Sequence, residues 1–436
     1  MTTNDPILNG LLKEIADPDP EVCKSAASSL CQKYPSQALQ PLCLLLADRH
    51  APVRTHAAKQ LGILKNTGAV KPLLLQLNDP NIRVRARIIK TLGILKDPSA
   101  VQPLINELRD SRFVIKVAAL NALRTMRCKQ AVPALLALLP STDDRICNAT
   151  LETLGRLGDP GVVPTLLGML PQGNDNVLPT LLKVIGNLGN EVAISPLSAF
   201  ITRRCASSQQ PMDDNVFMQA FQALGKIGGN RAVRELLTFY HDPALSARLQ
   251  IYVTLALGTV KQVSGEAREE AIILWLECLQ ASDIRSSHAV EALGGTFKDK
   301  RAVEPLIALL ATDRYPVFLE VSRSLSRLGD PRAIEPLMQE IKKNRDPAMV
   351  HFAIEALGRL KARNAVELLI TLLQPAVGRY DMQQDALIMA LDAIGDPRAI
   401  QALSVPFSNP SRQFLANQAL TKLKQRQAIF NKPVKQ

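Results

Sequence analysis

The chain has 436 residues, 47% of them hydrophobic but only 4% aromatic, and a formal net charge of +12. This gives an ample aliphatic core and argues against surfaces that stack bases, while the charge, spread over this length, favours acidic partners without being extreme. Seven cysteines (23, 31, 43, 128, 147, 205 and 278) form no CxxC pair and no Cys/His cluster, the pattern of reduced thiols on cytosolic helices.

The start, Met1-Thr2-Thr3-Asn4-Asp5-Pro6, lacks the shape of a signal peptide. No apolar run reaches membrane-spanning length. A cytoplasmic protein without membrane insertion is the expectation.

From Val53 onward a pattern repeats. Val53-Arg54-Thr55-His56-Ala57-Ala58-Lys59-Gln60-Leu61-Gly62 returns 31 residues later as Val84-Arg85-Ala86-Arg87-Ile88-Ile89-Lys90-Thr91-Leu92-Gly93. Each copy is followed by a second apolar segment, Ala69-Val70-Lys71-Pro72-Leu73 and Ala100-Val101-Gln102-Pro103-Leu104. Units this short cannot bury an apolar face alone, so they must stack as an array.

The Leu-Gly step works as a ruler. Its slot falls at Cys31, Gly62, Gly93, Arg124, Gly155 and Gly186 with a constant step of 31. It then loosens to Gly225, Gly258, Gly294, Ser326, Gly358 and Asp392, giving about twelve units and a partial one after Asn409. Val84, Ile88, Leu92 and Leu95 form an i, i+4, i+8, i+11 stripe, which predicts the first helix of each unit. Asp-Pro or Asp-x-x supplies its N-cap. Glycine near its end permits either close helix contact or a left-handed turn. Proline in Ala302-Val303-Glu304-Pro305-Leu306 sits in the first turn of a second helix, where no N–H is needed. No window alternates with period two, so the class is all-α. Residues 1–200 hold the regular repeats and 201–214 a polar insertion loop. Looser repeats fill 215–420, and 421–436 form a basic tail, all as one continuous solenoid. The stretch from Lys261 to Glu270 is a second polar interruption. Both are open to two readings, length drift or binding insertions.

The unit V-R-x-x-A-x-x-x-L-G-x-L-x-D-P-x-A-V-x-P-L-L resembles the HEAT-like repeat named after phycobilisome lyases, over nearly the whole chain. The resemblance implies a right-handed α-α superhelix of about twelve helix pairs. It does not fix function, because the repeat serves scaffolds, adaptors and enzyme accessories alike. It also implies an alternative, a phycobilin lyase subunit of the E/F type or a chromophore chaperone, with a bilin as ligand. Iron-binding HEAT hydroxylases carry repeated His-Glu pairs, and this sequence has no His-Glu dipeptide.

No catalytic constellation, metal-ligand spacing or nucleotide loop stands out. A non-catalytic scaffold or adaptor without cofactor is therefore the leading expectation, as a monomer or hetero-oligomer. Its partner would be a protein with an acidic surface, and nucleic acid is disfavoured. The candidate contacts fall in four groups. Polar positions of the second helices are Lys71, Gln76, Gln102, Asn106, Glu304 and Glu335. One stripe of a first helix carries Arg83, Arg87 and Lys90. Arg231, Arg301, Arg332 and Arg398 precede the Ala that opens a second helix, as an edge row or as a ladder to turn aspartates such as Asp299, Asp330 and Asp396. Arg203 and Arg204 lie in the insertion. Arg54 and Arg85 read as bridges between units, and Cys23, Cys128, Cys147 and Cys205 as the available thiols.

Overall fold

The computed structural model describes residues 5–206, 214–281, 283–311, 315–343, 346–374 and 383–430. Among them are 26 α-helices and no strand. An opening helix, Pro6–Glu14, is followed by twelve successive helix pairs and a closing helix, Pro410–Phe430. The chain divides into two compact halves, Met1–Ala223 and Leu224–Gln436. Each is a stack of helix pairs in which first helices pack on first helices.

In a typical repeat of the first half, Ile82–Leu95 is the first helix and Val101–Glu107 the second. The predicted stripe is the core: Val84, Ile88 and Leu92 are fully buried and Leu95 nearly so. Asn81 caps the first helix by accepting from the Arg83 N–H at 2.9 Å. Asp-Pro pairs do the same work at second helices as well. Asp97 Oδ1 accepts from Ser99 N–H, and the chain makes one 3₁₀ turn, Pro98–Ala100, before the second helix.

The slot glycines provide close contact, and the left-handed turn is taken three residues later. A Cβ added to Gly93 would lie 2.6 Å from Ala122 Cα, and one on Gly186 2.6 Å from Ala223 Cα. In each case the neighbour sits two residues before the next slot. Gly62 meets Thr91, Gly155 meets Val184, Gly225 meets Ala256, Gly294 meets Ser324 and Gly358 meets Ala390 by the same rule. Apart from Gly258, which meets nothing, the slot glycines therefore keep the ruler in space even where its step in sequence loosens. Lys65, Lys96, Arg127, Gly158 and Gly189 adopt the positive φ that ends each first helix. At Gly294 the helix closes in a π-helical turn, Ala292–Phe297.

The looser repeats differ through their second helices. Ile194–Ala206 and Gly229–His241 have 13 residues and Gly265–Cys278 has 14, against 7 in Val101–Glu107. Thr202 to Ala206, expected at the start of a polar loop, continue the Ile194–Ala206 helix, with Arg203 and Arg204 favourably placed in its last turn. Residues 207–213 of that insertion lie outside the described residues. The Lys261–Glu270 stretch is likewise half helix, because the Gly265–Cys278 helix begins inside it with Glu266 in its first turn. The closing helix takes in residues 421–430, and 431–436 of the basic tail lie outside the described residues.

Two glycines in the same slot should respond oppositely to alanine. Gly93→Ala forces a methyl onto the Ala122 backbone and should cost about 1–3 kcal/mol. Gly258 has nothing within 4 Å of an added Cβ. Gly258→Ala should stabilise by up to about 1 kcal/mol through helix propensity. Thermal melts of both variants check this, and equal shifts would contradict the close-contact role.

Candidate protein-binding surfaces

The buried charges are structural. Arg54 Nε and Nη2 donate to Asp79 Oδ2 and Oδ1 at 2.6 and 2.9 Å, joining the start of a first helix to the turn after its second. Burial pushes the Asp79 carboxyl up, but the Arg54 pair and the Asn81 N–H together hold it below its ordinary value. One repeat on, Arg85 Nη2 donates to Glu107 at 2.6 Å and Asp110 at 2.8 Å. The same slot recurs every 31 residues as Cys23, Arg54, Arg85, Lys116 and Cys147, so the two ends of that run are cysteines. There the thiol takes over: Cys23 Sγ donates to the Ile15 carbonyl at 3.1 Å and Cys147 Sγ to Leu139 at 3.6 Å. Burial raises the pKa of both thiols, which suits them to packing rather than reaction. Cys128 is half-buried, and Cys205 is exposed on a helix rather than a loop.

His56 is half-buried in mid-helix. Its Nε2 lies 2.8 Å from Ser28 Oγ and 3.0 Å from Gln60 Nε2. Ser28 Oγ donates to the Lys24 carbonyl and accepts from Gln60 Nε2, each at 3.0 Å, and the cluster bridges two repeats. Burial, and then Lys59 and Lys24, lower the imidazole pKa. Among the described residues no group of three His, Cys, Asp or Glu is placed to hold a metal ion.

The arginines at second-helix entries form a ladder. Arg301 Nε and Nη2 clasp both oxygens of Asp299 at 2.9 Å, and Nη2 also reaches Glu269 at 2.8 Å. Arg332 clasps Asp330 at 3.0 and 3.1 Å and reaches Glu304 at 3.0 Å. Arg398 clasps Asp396 and reaches Glu367 at 3.1 Å. Each glutamate comes from an earlier repeat's second helix. The turn aspartate and this glutamate offset the unfavourable placement of a cation at a helix start. Arg301, Arg332 and Arg398 are thus already paired within the chain. Arg231 differs in place, being exposed inside the Gly229–His241 helix rather than in a 3₁₀ turn.

The other candidates scatter over two faces. On second helices, Lys71, Gln102 and Asn106 are exposed, with Gln102 Nε2 donating to Asn106 Oδ1 at 3.2 Å. Gln76 is half-buried at a helix end rather than exposed. Glu335 is exposed and accepts from Gln339, and Arg204 pairs with Asp175. The sequence reading missed the apolar members of this face. Leu44 and Leu75, 31 residues apart and so in one slot, are each 76% exposed. The equal spacing was the signal that could have found them.

On first helices, Arg83 and Lys90 are exposed and Arg87 half-buried. They form one wall of a groove of about 760 Å³ between the Ile82–Leu95 and Phe113–Met126 helices. Val114 and Val117 of the next repeat face them. Ile63 and Ile94 continue an exposed apolar row, 59% and 37% exposed.

The chain belongs to the HEAT-repeat family: the HEAT repeats model matches residues 8–75, 70–151, 101–179 and 274–347, more than half of it. A PBS lyase HEAT-like repeat model matches residues 350–375. No curated protein sequence matches the chain. Among solved structures it is similar to the karyopherin Kap121p bound to the extreme C-terminus of the protein phosphatase Cdc14p. The TM-score is 0.61 at 12% identity, covering 96% of this chain and 54% of that one. For Kap95p in complex with RanGDP the TM-score is 0.51 at 13% identity, covering 96% and 59%. The CpcE–CpcF complex of phycocyanin lyase from Nostoc sp. PCC7120 gives a TM-score of 0.32 at 22% identity over 60% of this chain and 97% of that one. The chain spans about half the length of the karyopherins it matches. The two karyopherin likenesses show the fold. Among the described residues no helix is long and apolar enough to cross a membrane.

The ladder carries a pH dependence. Hydrogen bonds from the Arg332 side chain and then its N–H hold the Asp330 carboxyl at about 2. Its folded pKa is depressed below the ordinary carboxylate value of about 4, so its stabilisation is complete above that value and is lost as the pH falls towards 2. The melting temperature should drop over that window. Asp330→Asn should melt lower at neutral pH and lose less on acidification, as calorimetry at a series of pH values would show.

Proposed function

We propose that the protein is a non-catalytic scaffold or adaptor that binds a protein partner with an acidic surface along its helix faces. The observation carrying this reading is the recurrence of bare aliphatic side chains in one slot of successive repeats, Leu44 with Leu75 and Ile63 with Ile94. Stacked repeats set such residues side by side, and the packing of the chain leaves both rows uncovered. Rows of this kind, flanked by polar side chains such as Lys71 and Lys59, have the make-up of an interaction surface. The net charge of +12 favours an acidic partner. The karyopherins that share the fold are described in complex with proteins, a Cdc14p C-terminus and RanGDP.

The match of residues 350–375 to the PBS lyase HEAT-like repeat favours a second reading, a bilin lyase subunit. Co-expression with a bilin and a phycobiliprotein subunit separates the two. The scaffold reading expects colourless protein and no chromophore transfer, and visible absorbance that travels with the purified chain would reverse the preference.

For the scaffold reading, the full chain serves as bait in its native extract beside two variants, Leu44→Asp/Leu75→Asp and Arg83→Glu/Arg87→Glu/Lys90→Glu. A stoichiometric protein partner held by wild type and lost from at least one variant that still melts like wild type is the expected result. Capture of the same proteins by all three baits, or of none, would reject it.

A further inference from the structure

The groove between the Ile82–Leu95 and Phe113–Met126 helices has two chemically different walls. On one, Arg83, Arg87 and Lys90 stand at i, i+4 and i+7, a single helical stripe. Among the described residues none of the three forms an ion pair with an acidic side chain, and no acidic residue lines the groove. The opposite wall is aliphatic at its start, where Val114 is 50% exposed with half-buried Val117 beside it, and turns polar at Asn121 and Thr125, while Ile94 continues the cationic helix at that end. At that end Arg124 is held by Asn121 at 2.5 Å and Glu152 at 3.5 Å, so its charge is already partly met.

This arrangement specifies its occupant. Three like charges on one face repel each other, and the facing valines leave apolar surface in water. A phosphate backbone would satisfy the first wall only. It would lay a polar chain on the valines, and no aromatic side chain lines the groove to stack a base. An acidic amphipathic helix satisfies both walls, its carboxylates towards the cations and its aliphatic face towards Val114 and Val117. From Arg83 to Ile94 the groove runs about 16 Å, which is about three helical turns. We propose that this groove is the docking site of an acidic amphipathic helical segment of a partner protein. The proposal rests on the scaffold reading and names the chemistry of its partner.

The test uses the full chain and a designed fluorescent helical peptide of about four turns, with Glu at i, i+4 and i+7 and Leu on the adjoining face. A scrambled peptide of the same composition and a DNA duplex are titrated in parallel, at about 50 and about 200 mM salt. The designed peptide should bind at least about tenfold tighter than the scramble and weaken as salt rises. Arg83→Glu/Arg87→Glu/Lys90→Glu should lose about tenfold or more in affinity at low salt. Val114→Ser should lose severalfold with its salt dependence unchanged. Because Arg83, Lys90 and Val114 are exposed, these variants should melt like wild type, and Arg→Gln and Lys→Gln replace the reversals if they do not. Equal binding of the scramble, tighter binding of the duplex, or affinity unmoved by the substitutions would overturn the proposal. A partner captured from native extract that depends on Leu44 and Leu75 but not on Arg83, Arg87 and Lys90 would overturn it as well, and would leave the scaffold reading standing.

Discussion

Two α-helices can bring their backbones together only where neither carries bulk, and seven slot glycines of this chain meet the next first helix in this way. Gly93 lies against Ala122 so closely that one methyl group would collide with the neighbouring backbone. The contact fixes how far one first helix slides along the next, because only the glycine opposite the small residue can be approached. Three residues later the chain must leave the helix, and Lys96 does so in the left-handed conformation. The second helix then lies where Arg85 can reach Glu107 and Asp110 at its far end. Register, turn and ion pair follow one another within this repeat; the next keeps the left-handed turn, at Arg127, while Arg124 and Lys116 take the places of Gly93 and Arg85.

The steric ruler was legible in the sequence because it is written in a residue type with no side chain at a fixed interval. Less legible was which residue each glycine meets. That partner is Thr, Ala, Val or Ser, small or slender and otherwise without a signature, and only its place two residues before the next slot identifies it. The polar stretches misled for a physical reason. Thr202-Arg203-Arg204 and Glu266 to Glu270 are soluble in either a loop or an exposed helix, and composition does not separate the two. Helix ends do: arginines close one and Glu266 opens the other, each with the sign that the helix dipole favours.

Charge was the hardest feature to read in one dimension. Arg301, Arg332 and Arg398 are each followed by the Ala that opens a second helix, and a local reading finds only the turn aspartate two residues before. The glutamates that complete the clasp, Glu269, Glu304 and Glu367, lie 32, 28 and 31 residues earlier, which is one repeat. The groove of the first half was half visible. Its cations share a stripe of one helix, whereas Val114 and Val117 belong to the next repeat and read as ordinary members of an apolar helix. Stacking brings the two stripes face to face.

The contrast between ladder and groove bears on function. The ladder arginines are about half exposed, yet each meets two carboxylates, so their charge is largely used inside the chain and is worth little to an outside partner. Arg83, Arg87 and Lys90 sit in the same kind of stack, where one Asp or Glu on the facing helix would have paired them. Val114 and Val117 stand there instead. Like charges one turn apart disfavour their helix by a few tenths of a kcal/mol. Exposed valines add a cost of similar origin in water, at about 25 cal/mol per Å² of apolar surface left uncovered. Both costs fall on one groove, and neither contributes to the glycine contact that holds the repeats together. A ligand that is acidic on one side and aliphatic on the other removes the two at once, which makes the bound state the one in which this stretch of the stack is chemically complete.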